Sequence, residues 1–294
     1  MVIDQKILDA VQTQQVDTVL NLACGLDTRP FRLPLPSTLT WIEVDLPEVI
    51  AYKGSILTND RVACRLESIG MDLSDSDARR RLFAHVDGTA HRVLVVSEGF
   101  LLYLSANTVA ALARDLHAFP RFSYWMTDVT SPLLLRLDQV FGRPVQRWVS
   151  PMRFAPRDKR AFFEPYGWTI RDFRPLAVEG ERLHREPPFA PLLRAGRIVL
   201  RGKWRDAFRD SSGVLLLERS SQPAPVLPGG IRRHTTGTLL KLRHRHRGES
   251  KESIEEYRME YTGWNPLVPA LELLAVILVI GAAIVIGRRL RQRG

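Results

Sequence analysis

Short, continuously apolar segments recur along the first 220 residues and alternate with longer stretches of helical periodicity. A run such as Val93 to Val96 is typical of a strand covered on both faces of a parallel sheet. Seven segments are predicted strands: 17–23, 40–45, 61–66, 92–97, 122–127, 168–173 and 214–218. Strands that alternate with helices form right-handed βαβ units. The pattern therefore predicts an α/β fold with a mostly parallel, doubly wound sheet.

The clearest helical pattern covers residues 107–117, and Ser105 is a suitable N-cap for it. Four apolar side chains fall on one stripe, at the spacing of a helix that packs against a sheet. They are Val109, Leu112, Ala113 and Leu116. The segment predicts one of the helices that cover the sheet.

Composition divides the chain into three zones. Residues 1–220 carry the α/β pattern and form the predicted main domain. Residues 221–263 begin as a Pro/Gly-rich linker and continue as a basic arm, without an acidic residue from Ile231 to Arg247. Residues 264–294 contain the apolar run 267–287, in which Glu272 is the one charge, followed by a basic tail.

The apolar run is long enough to cross a membrane. At ~1.5 Å per residue, 21 residues span a ~30 Å hydrocarbon core. We expect a single-pass transmembrane helix, with the main domain in the cytoplasm; a buried core helix is the alternative. Lys and Arg lie on both flanks, so the positive-inside rule does not fix the orientation.

Charge and cysteine content exclude several classes of site. The net charge is +10, but twelve Lys/Arg against six Asp/Glu lie from Ile231 onwards, so the excess belongs mainly to the arm and tail. The arm lacks interleaved aromatic residues, and no nucleic-acid partner is expected. Its His244 and His246 lack a convincing further ligand set, which favours a solvated arm over a metal site. Two cysteines cannot form a disulfide framework or a multi-cysteine zinc site.

Acidic residues follow several predicted strands on the edge where doubly wound folds bind ligands. The turn after the first strand holds one glycine, Gly25, which permits close approach of a ligand to the backbone. Asp45 ends the second strand 20 residues later, where a carboxylate can bind a ribose diol. Asp72 follows the third strand region, and Glu98 ends the fourth. We expect these residues to surround one ligand site.

The residue types at this edge distinguish between two cofactors. The turn lacks the second and third glycines of the Gly-x-Gly-x-x-Gly pattern, which would bind the pyrophosphate of a nicotinamide dinucleotide. S-adenosylmethionine carries a sulfonium and an ammonium, both of which carboxylates complement. The edge therefore favours S-adenosylmethionine, and a nicotinamide-dependent oxidoreductase is the weaker alternative.

Four motifs in order resemble the leucine carboxyl methyltransferase family, in its bacterial S-adenosylmethionine-dependent O-methyltransferase-like branch. They are Leu22-Ala-Cys-Gly-Leu-Asp-Thr-Arg-Pro-Phe-Arg-Leu33, Ile42-Glu-Val-Asp-Leu-Pro-Glu-Val49 with Lys53, Asp72-Leu73, and Ser97-Glu-Gly-Phe-Leu-Leu-Tyr-Leu104. The resemblance covers roughly residues 3–220. It implies a Rossmann-like class I methyltransferase fold and methylation of a carboxylate or hydroxyl on a small molecule.

The resemblance also implies a role for each matching site residue. Gly25 would lie beside the methionine moiety, Asp45 on the ribose, and Asp72 with Leu73 at the adenine. Glu98 would lie near the amino-acid end or the acceptor. No residue stands out as a general base.

One departure from the family pattern opens a second hypothesis. Family members carry N-terminal helices that cover the cofactor and an Arg that holds its carboxylate, whereas here about sixteen residues precede the first strand. The alternative function is a membrane-anchored, catalytically impaired protein that keeps the methyltransferase fold and can still bind the cofactor.

Other polar residues of the motifs have structural explanations. Asp27 and Arg29 are expected to form a paired network under the turn, because an unpaired buried charge is costly. Glu43 lies two residues before Asp45 and shares its face of the strand. Tyr103 fits the border of an acceptor pocket or a core position equally well.

Overall fold

The computed structural model describes residues 2–141, 151–183 and 209–220. Within these ranges, seven strands form a sheet in the order β3-β2-β1-β4-β5-β7-β6. Strands β1 to β5 pair in parallel, and β7 runs antiparallel to both β5 and β6. The strands are β1 (Thr18–Leu22), β2 (Thr40–Asp45), β3 (Arg65–Gly70), β4 (Val93–Ser97), β5 (Phe122–Thr130), β6 (Trp168–Pro175) and β7 (Ser212–Arg219).

Eight α-helices are seen in the described part of the chain. They are α1 (Val2–Thr13), α2 (Arg29–Arg32), α3 (Pro47–Ile56), α4 (Ser76–Thr89), α5 (Ala106–His117), α6 (Pro132–Phe141), α7 (Lys159–Phe163) and α8 (Leu176–Arg182). Short 3₁₀ turns lie at Leu101–Tyr103 and Glu164–Tyr166. Helix α5 confirms the predicted helix: Ser105 Oγ accepts a hydrogen bond from Thr108 N at 3.1 Å, and all four apolar stripe residues are buried.

The sheet carries a hydrophobic core on each face, as a doubly wound fold requires. Along β4, Val93 and Val95 pack into one core with Phe83 of α4. Leu94 and Val96 pack into the other core with Ile7 of α1. The continuous apolar run that predicted a strand covered on both faces is explained by this alternation.

Six of the seven predicted strands are confirmed, with shifts at their ends, and one is wrong. The third strand was predicted at 61–66 but runs from Arg65 to Gly70. The apolar letters that suggested the earlier start belong to a loop, where Val62 is 38% exposed and Ala63 N donates to Pro30 O. Strand β3 is an edge strand that pairs with β2 alone in the described sheet, so it needs no continuous apolar run.

The predicted linker, basic arm and membrane span at 267–287 lie outside the described residues. None of the helices in the described ranges has the length and apolar character needed to cross a bilayer.

Candidate functional site

The turn after β1 lies where the sheet reverses its order, because β2 lies on one side of β1 and β4 on the other. Such a switch point is where doubly wound folds bind ligands. Ala23 and Gly25 both adopt left-handed backbone conformations, with φ of 53° and 51°. A Cβ built on Gly25 would meet no atom within 4 Å, so this backbone faces open space. The turn is shaped for close approach of a ligand.

The carboxylate of Asp45 is held against this turn. Its Oδ2 accepts a hydrogen bond from Gly25 N at 2.7 Å. Its Oδ1 accepts one from Leu46 N, also at 2.7 Å. Two predicted site residues, 20 positions apart in the sequence, are therefore in direct contact.

A cleft of about 320 Å³ opens beside Asp45, at the carboxyl ends of β1 and β2. Three of the predicted site residues, Asp45, Asp72 and Leu73, line this cleft. Its remaining walls are mainly apolar, and include Leu22, Met71, Phe100, Leu104 and Leu112. An apolar cleft with carboxylates at its rim is suited to a flat, uncharged ring that carries polar edges.

The segment that carries Asp72 and Leu73 is ordered by local hydrogen bonds. Asp72 Oδ1 accepts from Ser74 N at 2.8 Å, and this hydrogen bond lowers the pKa of the exposed Asp72 carboxyl below its ordinary value. The buried Arg79 donates from Nη1 to Leu73 O at 2.7 Å. Asp72 is therefore ionised at neutral pH, and Leu73 is fixed by a side chain from α4.

A second cavity of about 360 Å³, here called the acidic hollow, adjoins the turn on the β4 side. It is lined by Asn21, Ala23, Cys24, Gly25, Leu26, Asp27, Thr28, Arg29 and Glu98. Ala23 lines both the cleft and the acidic hollow, and Asp45 joins them through its bond to Gly25. The five predicted residues are thus divided between two adjoining cavities rather than gathered in one.

Arg29 organises the acidic hollow. It is 8% exposed and donates through Nε to Asp4 at 2.7 Å, through Nη1 to Asp27 at 2.9 Å, and through Nη2 to Glu98 at 2.7 Å. The predicted Asp27–Arg29 pair is confirmed. Asp27 also accepts a hydrogen bond from Asn21 Nδ2 at 2.9 Å. The pair is part of a wider network that reaches α1 and the end of β4.

Sequence reasoning did not find Asp4 as part of this network. Burial acts to raise the pKa of Asp4, but hydrogen bonds from Arg32 and Arg29 outweigh it and hold the pKa well below the ordinary value. Asp4 lies in α1, 25 residues before Arg29. An acidic residue in the first turn of a helix is explained by its favourable interaction with the helix dipole. The sequence position of Asp4 therefore gives no indication of the contact with Arg29.

Asp128 is a second residue that the sequence analysis missed. It follows the parallel part of β5 and accepts a hydrogen bond from Gly99 N at 2.7 Å through Oδ1. Gly99 has a left-handed φ of 65°, so this bond helps to fix the turn after Glu98. Burial raises the pKa of the Asp128 carboxyl. The sequence did offer one signal for Asp128: it is an acidic residue directly after the predicted strand 122–127, at the same edge of the sheet as the other acids.

Glu43 supports α3 rather than lining either cavity. It is 2% exposed and is paired with the equally buried Lys53 of α3. Ser68 Oγ also donates to Glu43 Oε1 at 2.7 Å. The pair anchors the helix that follows Asp45.

Cys24 and Tyr103 belong to the motifs but differ in their surroundings. Burial raises the pKa of the Cys24 thiol to about 12, so it stays protonated at neutral pH. Tyr103 lies in the first 3₁₀ turn and lines neither the cleft nor the acidic hollow.

Comparison with known proteins agrees with the motifs. Residues 1–117 match the sequence profile of the leucine carboxyl methyltransferase family. A Frankia alni protein named as an S-adenosyl-L-methionine-dependent methyltransferase is 30% identical over 183 residues, which cover 59% of this chain and 63% of that protein. The tetracenomycin polyketide synthesis O-methyltransferase TcmP of Streptomyces glaucescens is 36% identical over 119 residues, which cover 40% of this chain and 41% of TcmP.

The chain therefore spans about three-fifths of the first relative's length and two-fifths of the second's. A solved structure of a DUF574-family protein from Streptomyces avermitilis aligns with 74% of this chain and 80% of its own, at 13% identity and a TM-score of 0.48. The resemblance predicted from the four motifs is confirmed: residues 1–117 have the sequence characteristics of the leucine carboxyl methyltransferase family, and the relatives described above are named as methyltransferases.

Proposed function

We propose that this protein is an S-adenosylmethionine-dependent methyltransferase that methylates an oxygen, a carboxylate or a hydroxyl, of a small molecule. The observation that carries the proposal is the pair of adjoining cavities at the switch point of the sheet, one apolar and one acidic, joined at Ala23 and by the Gly25–Asp45 hydrogen bond. The names of the relatives support the cofactor and the reaction class.

The chemistry of the two cavities fits the two halves of this cofactor. The cleft offers apolar walls for a purine, with Leu73 and Asp72 at its rim. Asp45 stands between the cavities, where a ribose diol would need an acceptor. The acidic hollow has Asp27 and Glu98 to complement an ammonium or sulfonium charge. We assign Asp72 and Leu73 to the adenine, Asp45 to the ribose, and Gly25 and Glu98 to the methionine moiety.

When bound, the cofactor would supply an activated methyl group, because the sulfonium sulfur can leave as a neutral thioether. The residues of this chain then have to bind and orient the two reactants and exclude water from them. Correct placement of two reactants can supply a large part of the rate enhancement. A carboxylate acceptor would need no general base, whereas a hydroxyl acceptor would need one. Cys24, with its raised pKa, is not suited to that task.

Calorimetric titration tests the cofactor assignment. We expect the full-length protein to bind S-adenosylhomocysteine, the product form of the cofactor. Asp45→Ala should weaken binding roughly 10- to 100-fold, the effect of losing a hydrogen bond to a charged group. Glu48→Gln, an exposed change three residues away, is the matched control and should leave affinity unchanged. Unchanged affinity in Asp45→Ala would mean that the ribose is assigned to the wrong residue.

Transfer of a labelled methyl group to carboxylate- and hydroxyl-bearing small molecules tests the reaction itself. Binding of S-adenosylhomocysteine with no transfer to any acceptor would instead favour the impaired, cofactor-binding alternative.

Membrane attachment through residues 267–287 is a separate part of the proposal. It rests on the length and apolarity of that segment alone. Cell fractionation of the full chain and of a variant lacking 267–287 tests it. The full chain should be recovered with the membranes and the deletion variant in the soluble fraction. Recovery of both proteins in the soluble fraction would refute membrane attachment through this segment.

A further inference from the structure

We propose that Arg29 is a positioning residue that holds the Glu98 carboxylate at the acidic hollow, and so controls recognition of the amino-acid end of the cofactor. This inference rests on the proposed function. It concerns how Glu98 is held, which neither the motif resemblance nor the names of the relatives describe.

Arg29 and Glu98 differ in how firmly each side chain is held. Glu98 follows β4, its side chain is 47% exposed, and its Oε2 accepts from Arg29 Nη2 at 2.7 Å. An exposed glutamate would otherwise lose side-chain entropy each time it met a ligand. Arg29, in contrast, is buried and has three of its nitrogens engaged. The fixed partner therefore restrains the mobile one.

Three chain segments meet at Arg29. Asp4 comes from α1, Asp27 from the turn after β1, and Glu98 from the end of β4. The rigid, planar guanidinium serves the three carboxylates from three separate nitrogens at fixed angles; a lysine ammonium is a compact point charge on a flexible stem and has a single nitrogen. The position therefore requires Arg for geometry as well as for charge.

The charge balance leaves the acidic hollow negative. Of the charged residues that line the acidic hollow, Asp27 and Glu98 are acidic and Arg29 is basic. These three groups carry one more negative than positive formal charge. Arg29 can therefore orient Glu98 without cancelling the field that favours an ammonium group.

The other side of Glu98 is held as well. Asp128 accepts a hydrogen bond from the amide of Gly99, the next residue, at 2.7 Å. The backbone at Gly99 and the carboxylate of Glu98 are thus fixed by separate partners. Arg29 contacts the side chain of Glu98. A change that breaks this contact should therefore alter ligand recognition without moving the backbone at Gly99.

The test compares two ligands that differ only at the amino-acid end. S-adenosylhomocysteine carries the amino-acid group, and 5′-methylthioadenosine keeps the adenosine and thioether but lacks that group. We expect Arg29→Lys to weaken S-adenosylhomocysteine binding about 10-fold or more, while the affinity for 5′-methylthioadenosine changes less than about twofold. Equal weakening of both ligands would show a general structural role, and no change in either would show that the contact is unimportant. Both results overturn the proposal.

Glu98→Asp provides a test that leaves Arg29 in place. The shorter side chain keeps the charge but withdraws from Arg29, so positioning predicts the same selective loss of S-adenosylhomocysteine affinity as in Arg29→Lys. Wild-type affinity in Glu98→Asp would overturn the proposal, because charge alone would then suffice. Glu164→Asp, in the exposed pair with Arg160, is the matched control and should bind both ligands normally. Failure of the wild-type protein to bind either ligand would instead refute the proposed function and this inference with it.

Discussion

Replacing Lys53 by Met should destabilise the protein strongly, although the side chain touches neither cavity. The side chains of Lys53 and Glu43 are each 3% exposed, and each is the other's charged partner. The change leaves the Glu43 carboxylate buried with only the Ser68 hydroxyl as a described side-chain partner. Removing one partner of a buried ion pair typically costs 3–5 kcal/mol, because the remaining charge is uncompensated. For a domain of 150–250 residues this corresponds to a fall in Tm on the order of 10 °C.

A second variant separates the lost charge pair from lost packing. In Lys53→Met/Glu43→Gln, the glutamine is neutral and still accepts a hydrogen bond from Ser68. We expect this double variant to recover part of the lost stability, because it removes the buried, uncompensated charge but leaves the glutamine NH2 group without a described acceptor. Recovery would show that the uncompensated charge causes the loss.

The assay is urea unfolding followed by tryptophan fluorescence and far-ultraviolet circular dichroism. Arg160→Met is the matched control, since Arg160 and Glu164 are 62% and 42% exposed and such a surface pair contributes about 0–1 kcal/mol. Similar, small losses of stability in Lys53→Met and Arg160→Met would contradict the role of the buried pair, and so would a double variant no more stable than Lys53→Met.

Three further predictions concern Asp128, Asp4 and Ser105. Because burial raises the pKa of Asp128 above its ordinary value of 3.8, ionisation of this carboxyl opposes folding once the pH exceeds 3.8. Asp128→Asn should therefore raise Tm at neutral pH, and the gain should disappear below pH 3.8. A difference in Tm that stays constant across this pH range would contradict the prediction. The pKa of Asp4 is lowered from 3.8, so the wild-type protein should be more stable than Asp4→Asn by a constant amount above pH 3.8. This difference in stability should decline as the pH falls from 3.8 towards the lowered pKa. Thermal unfolding of both proteins between pH 3 and 7 measures it. Ser105→Ala removes the cap on Thr108 N and should cost ~1 kcal/mol in urea unfolding, and a change below about 0.3 kcal/mol would show that the cap is not significant.

The strands and the main helix could be predicted because their signals are local. The apolar run from Val93 to Val96 indicates burial on both faces, and the structure places its residues alternately in the two cores. Ser105 and the apolar stripe behind it predict α5 in the same way. Strand β3 was misplaced because an edge strand with exposed positions produces no such pattern.

The candidate site was predictable in type but not in its supporting contacts. Gly25, Asp45, Asp72 and Glu98 were predicted to lie at one edge because the carboxyl ends of parallel strands meet there, and the structure places them around two adjoining cavities. The Arg29–Glu98 contact joins residues 69 positions apart, and the Gly99–Asp128 contact joins residues 29 apart. Nothing in local spacing specifies such pairs. The division of the site into a cleft and an acidic hollow likewise depends on the fold.

A crystal structure of the protein with S-adenosylhomocysteine would show directly whether the cleft and the acidic hollow together bind the cofactor. We predict the adenine in the cleft beside Leu73, the ribose hydroxyls on Asp45, and the ammonium in the acidic hollow beside Glu98. A ligand bound away from the turn at Gly25, or lying in the reverse direction across the two cavities, would contradict it.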